Sequence, residues 1–311
     1  MAKTHKKQHF VPASYMKAWC DPDCPPGQDP YVWVYPRAGG TPFRRSPRKL
    51  FTETDMYTIE RADGTRDLRI EATLSTLEDR FVGIRKNVFE ARRPLEHDEH
   101  LYLCFFVGAA HFRTPTSRDH QAQQWGNVLR IADDLAQKMA CASHEKRAAA
   151  AQMATPGNGH SLTHEQVRAL ATKPIQNMIA PMLAAVVPPL AKMNLAVLCT
   201  DDSIGFLTSD HPCAWFDPEL YKLPPLLRSP ALGSSTIEVT MPISPRQCLY
   251  LSWNNMVGYL DIPAYALQEM NRRHRGYCNE HVVIRKEYFS DYWLRERPLP
   301  LAEWERRYHK G

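Results

Sequence analysis

No run of apolar residues in this chain of 311 approaches the roughly 20 needed to cross a bilayer, so no membrane span is expected. The opening MAKTHKKQHF is too polar for a secretory signal, which makes a cytoplasmic protein the expectation. The chain has no P-loop and no GxGxxG, which sets aside two common phosphate cradles. It also lacks HExxH, a nucleophile elbow and a Cys–His signature, so neither a zincin nor a covalent hydrolase is indicated. Eight cysteines are scattered along it, several in apolar runs where Cys acts as a small hydrophobe. Cys20 and Cys24 have metal-like spacing, but no second Cys or His pair follows at zinc-finger distance.

What is present suits a globular protein that buries one elaborate core: 43% of residues are hydrophobic and 23% charged. The net charge of +5 permits an anionic partner without arguing for nucleic acid by itself. Three regions follow one another: loop-rich 1–69 with short strands, helical 70–193, and sheet-rich 194–311. Tyr31–Tyr35 is strongly β-forming, and Asp63-Gly64 suggests a small hairpin between Asp55–Glu60 and Arg66–Leu68. Ile70, Leu74, Leu77, Phe81, Ile84 and Val88 draw an amphipathic stripe, and the segment from about Asp98 to Phe112 is apolar nearly all round. Helix is expected to continue over Thr116–Met153 and to restart after the Thr155–Gly159 linker at a capping box near Ser161 or Thr163. Lys173–Lys192 contains four prolines and should be kinked or broken more than once.

In the last third, Leu195–Cys199 and Ile204–Leu207 read as a hairpin about Asp201-Asp202-Ser203. Strands are expected over Thr236–Ile243, Gln247–Ser252 and Cys278–Arg285, with a helix over Ala264–Arg275 and a charged helix from Trp293. The fold class is therefore α+β, a helical middle packed on a mainly antiparallel sheet formed largely by the C-terminal third.

Gln8, His9, Phe10, Val11, Pro12, Tyr15, Met16 and Trp19 form a fairly specific opening, with Met16 where Leu is usual. Together with the Arg113-Thr114-Pro115 step, the Ser209-Asp210-x-Pro212 step and the Met241–Pro245 turn, it resembles a mostly bacterial family, the domain of unknown function 4238. The resemblance implies no activity. It singles out His9, Arg113 and Asp210, and it leaves His211, which stands where that family often has Asn, without an implied role.

These residues allow one converging site, made of His9, Arg113, Asp210 and Asn271 or Arg272. His and carboxylate suit acid–base work or a divalent metal, and Arg offers a planar fork for phosphate oxygens. Alternatively, each residue closes a helix or strand end by hydrogen bonding, and Arg113 sits either in a structural salt bridge or in a ligand pocket. The first form gives a hydrolase-like enzyme acting on a phosphate-bearing substrate, in its narrowest version a nuclease of a defence or effector system. The rival is a non-catalytic nucleic-acid-binding protein with a basic face of Lys3, Lys6, Lys7, Arg44, Arg45, Arg48 and Arg272–Arg275; a scaffold is the third class. An anionic small molecule or nucleic acid is thus the expected partner.

Overall fold

The computed structural model describes residues 6–153, 162–222, 224 and 228–294. The Thr155–Gly159 linker, Lys3, part of the loop after Asp217 and most of the tail helix expected from Trp293 lie outside them.

Short strands and turns open the chain: β1 (Lys7–His9), α1 (Ala13–Met16), β2 (Val32–Pro36), β3 (Phe43–Arg45), β4 (Thr52–Thr54), β5 (Ile59–Glu60) and β6 (Arg66–Asp67). The helices follow as α2 (Arg69–Ile84), α3 (His97–Phe112), α4 (Pro115–Ala140), α5 (His144–Met153), α6 (His164–Thr172) and α7 (Pro174–Lys192). The rest is β7 (Asn194–Cys199), β8 (Thr208–Ser209), β9 (Ala214–Phe216), β10 (Glu238–Ser244), β11 (Gln247–Ser252), β12 (Gly258–Asp261), α8 (Ala264–Tyr277) and β13 (His281–Ile284). The protein is α+β. A five-stranded sheet in the order β12-β7-β11-β10-β9 comes wholly from the last third, and a four-stranded sheet, β3-β2-β13-β8, joins the two chain ends. Among the described pairings only β12–β7 is parallel.

The α2 stripe buries Leu74, Phe81 and Ile84, and the Phe81 ring stacks on Phe106 of α3 at 4.0 Å. Tyr15 and Trp19, both fully buried, join this core. Their polar tips are satisfied, because Tyr15 Oη donates to the Pro242 carbonyl at 2.6 Å and Trp19 Nε1 to the Phe206 carbonyl at 2.7 Å. The apolar opening thereby pins the helical half to the sheet half.

Three expectations are corrected. Leu195–Cys199 and Ile204–Leu207 do not form a hairpin. β7 pairs instead with β11 and β12, and the donors of the segment after it go elsewhere. Asp202 Oδ1 accepts from the N–H groups of Ile204 (2.8 Å) and Gly205 (3.0 Å), Phe206 N donates to the Pro245 carbonyl at 2.8 Å, and Leu207 N to Asn271 Oδ1 at 3.0 Å. The turn chemistry was real, but it served a loop. Gly205 has φ +73°, and a Cβ there would lie 1.9 Å from the Pro245 carbonyl oxygen.

The helix expected over Thr116–Met153 stops at Ala140 and resumes at His144, and its N-cap is Thr114, whose Oγ1 accepts from Ser117 N at 3.3 Å. Finally, α7 is one helix despite Pro181, Pro188 and Pro189 inside it. It is held against α3, where Gly108 leaves room for Leu183 and Val186. By length and composition α7 is the one described helix that could cross a membrane. The capping box at Thr163 and Gln166 forms as the spacing predicts.

Candidate functional site

The structure divides the expected site in two. His9 ends β1, and its Nε2 is enclosed with no hydrogen-bond partner among the described residues. Burial holds its imidazole below the usual range, with Glu78 pulling up and Arg113 down. Arg113, only 1% exposed, donates from Nη1 to Glu78 Oε1 at 2.7 Å, while its Nε and Nη2 are enclosed without a partner among the described residues. Tyr57 joins them, its hydroxyl donating to the His9 carbonyl at 3.1 Å and raised by burial. His9 and Arg113 thus belong to one interior polar group with Glu78 and Tyr57. Of the two alternatives for Arg113, the salt bridge is present.

Asp210, Asn271 and Arg272 are committed elsewhere. The Asp210 carboxylate accepts from the backbone N–H groups of Asn279 (2.8 Å), Glu280 (2.6 Å) and His281 (3.0 Å), closing the loop into β13. Burial pushes its carboxyl up against the pull of those three amides. Asn271 clamps the loop after β7, accepting from Leu207 N and donating to the Gly205 carbonyl at 2.9 Å. Arg272 donates to both oxygens of Glu269 on its own helix, at 2.7 and 2.8 Å. Asp210 and Asn271 thus hold local backbone, whereas Arg272 pairs within its own helix. An Asp with three amide bonds has little acceptor capacity left for acid–base work.

The basic face expected over Arg272–Arg275 is also mostly interior. Arg273 reaches Glu238 at 2.6 Å and Glu269 at 3.0 Å and lies over the Phe216 ring at 4.1 Å. His274 is fully buried. It belongs to a group of three histidines in which His211 Nε2 lies 3.4 Å from His111 Nδ1 and the His111 ring stacks on Trp215 at 4.2 Å. Burial lowers His111 to about 3, His211 to about 4 and His274 to about 3. Among the described residues no set of His, Cys, Asp and Glu side chains is placed to hold a metal ion.

A set of cations lines a cleft of about 490 Å³ that contains none of the expected site residues. Five segments build it. Lys17 comes from the turn after α1, Arg85 from a π-helical turn (Arg85–Phe89) that ends α2, and Glu90 and Arg92 from the reversal behind it. Thr200 and Asp201 follow β7, Ser244–Gln247 form the β10–β11 turn, and Arg285 follows β13. Local deviations from regular structure aim these side chains. The π turn widens the helix end, a device common at functional sites, and Arg92 has φ +49°, a strained conformation for a non-glycine residue.

Five cations therefore face two carboxylates. Arg92 pairs with Asp261 at 3.0 Å, but Lys17, Arg85, Arg246 and Arg285 have no ion pair among the described residues. Arg85 donates to the carbonyls of Tyr15 (3.1 Å) and Ser14 (3.2 Å), and Arg246 to that of Asp202 at 2.8 Å. Carbonyls fix a guanidinium without cancelling its charge. Gln247 Nε2 donates to the Phe89 carbonyl at 2.8 Å, tying the π turn to the hairpin turn, so opposite walls of the cleft are joined. Such a cleft focuses a positive field and is pre-organised for an oxyanion.

Sequence reasoning singled out none of Lys17, Arg85, Arg92, Arg246 and Arg285. The signal available was the run Arg85, Lys86, Arg92 and Arg93 just past an amphipathic helix. The family described as "Protein of unknown function (DUF4238)" matches residues 7–287, a stretch that includes every residue lining the cleft. No curated protein matches the chain, and no solved structure does.

Proposed function

We propose, for a chain that belongs to the DUF4238 family, that it binds a phosphate-bearing ligand in the basic cleft. The observation that carries this is the set of four cations, Lys17, Arg85, Arg246 and Arg285, gathered round one cavity with no carboxylate partner among the described residues. Arginines left unpaired at a pre-formed concavity favour planar oxyanions, and a volume of about 490 Å³ lies within the range of small-ligand sites, about 300–1,000 Å³. The eight unpaired cysteines support a reducing, cytoplasmic setting.

Hydrolysis of a phosphate-bearing ligand held at the interior polar group instead of in the cleft, including nuclease action in a defence or effector system, is the second reading. What favours it is the interior group of His9, Glu78 and Arg113, where enclosed, unpartnered nitrogens stand beside a carboxylate. In that reading His9 and Glu78 carry the acid–base role in place of Asp210.

Calorimetric titration with inorganic triphosphate tests the binding reading. Arg246→Ala should weaken binding about tenfold or more, the worth of one charge-assisted hydrogen bond. No binding to the wild-type chain, or equal binding by the variant, sinks it. Release of inorganic phosphate from triphosphate, abolished by His9→Ala and kept by Arg246→Ala, would favour the second reading over the first.

A further inference from the structure

The basic cleft has a neighbour. A second cleft of about 420 Å³ shares Lys17 with it, so one lysine forms a wall of both. Its other lining residues are Cys20, Asp29, Pro30, Ser46, Pro47 and Arg48. The chemistry differs sharply across Lys17. On the basic side cations outnumber carboxylates. On the far side two prolines and a thiol, kept protonated by burial, offer apolar contact, and the Asp29 carboxylate offers an acceptor. A carboxylate disfavours a second phosphate but suits sugar hydroxyls and ring N–H groups. Arg48 supplies a planar cation that stacks on a π face. An inorganic anion would use only the first cleft.

The geometry points to a nucleoside phosphate as the ligand, with its phosphates among Arg85, Arg246 and Arg285 and its nucleoside beyond Lys17 between Asp29 and Arg48. This inference rests on the binding reading above and extends it from an anion to an anion carrying a base and a sugar. The same chemistry has two sources, a free nucleotide or one residue of a single strand.

Calorimetry on the full chain separates the possibilities, with inorganic triphosphate, adenosine triphosphate and a ten-residue oligodeoxythymidylate as probes. The nucleotide or the oligonucleotide should bind at least about tenfold tighter than inorganic triphosphate, the order of advantage that one stacked base gives. Whichever of the two shows the larger advantage identifies the source. Asp29→Ala and Arg48→Ala, both at exposed positions, should remove most of that advantage. Equal affinity for all three probes, or an advantage that survives both substitutions, overturns the inference while leaving the anion site intact. Failure of every probe to bind overturns the binding reading and this inference together.

Discussion

Arg273 and Arg246 carry the same guanidinium in the same third of the chain, and the fold uses them in opposite ways. Arg273 is buried against Glu238 and Glu269 with an aromatic ring beneath it. Arg246 is exposed on a hairpin turn, held by a backbone carbonyl and directed to a cleft that holds other unneutralised cations. A cluster of basic residues in a sequence is therefore no measure of a basic surface. The run Arg272–Arg275, expected as part of a basic face, is mostly interior, whereas the cleft draws its cations from four separate segments, none conspicuous alone. What separates the two groups is whether a carboxylate lies within reach after folding.

The difference can be broken at its strongest point first. Arg273→Ala removes the ion pair to the fully buried Glu238 and should cost about 3–5 kcal/mol in chemical denaturation, whereas Arg246→Ala, which the binding test also uses, should stay within about 0.5 kcal/mol of wild type. Similar losses for both would erase the distinction. Next in size, Asp210→Asn weakens three backbone-to-carboxylate bonds and should cost about 1.5–3 kcal/mol in the same assay, while anion binding in the cleft stays unchanged. A variant that keeps full stability would show that the amides do not depend on the charge.

Acid supplies the smallest and most graded test. His111, His211 and His274 are held near 3, 4 and 3 in the folded chain, against about 6.5 when unfolded. The unfolded chain therefore binds more protons between these values. Stability from the three is fully present above about pH 6.5 and is lost as pH falls toward 4, with each histidine adding a slope of at most about 1.4 kcal/mol per pH unit. Denaturation midpoints measured from pH 7.5 to 5 should drop, and His211→Gln should flatten the curve. An unchanged curve in the variant would mean that His211 is not buried as a neutral ring.

Much of the framework was legible because it is local. The α2 stripe, the Tyr31–Tyr35 strand, the Thr163 capping box and the β10–β11 hairpin each follow from residues within one or two turns of one another. The false hairpin shows the limit. Asp202 made the turn that its side chain favours, but strand pairing is decided by partners some 50 residues away, and β11 and β12 took both edges of β7. The helix α7 was misjudged for a related reason, since proline propensity is a local penalty and its packing on α3 outweighs it.

The site was legible in halves. The His9 and Arg113 segments do meet, but Glu78 and Tyr57, which complete that group, carried no mark in the sequence. Arg272 could have been discounted, because Glu269 stands three residues before it on the same helix, a spacing at which side chains meet. Asp210 could not, since its amide partners lie about 70 residues downstream.

Position 205 shows how inheritance would act on the cleft. Every amino acid other than glycine carries the β carbon that would lie 1.9 Å from the Pro245 carbonyl, so any missense change at that position, however conservative, displaces the turn that bears Arg246. The residue beneath Arg246 has no tolerated neighbour in mutational space. A lineage that keeps the Arg246 turn in place must keep a glycine that lines no part of the cleft.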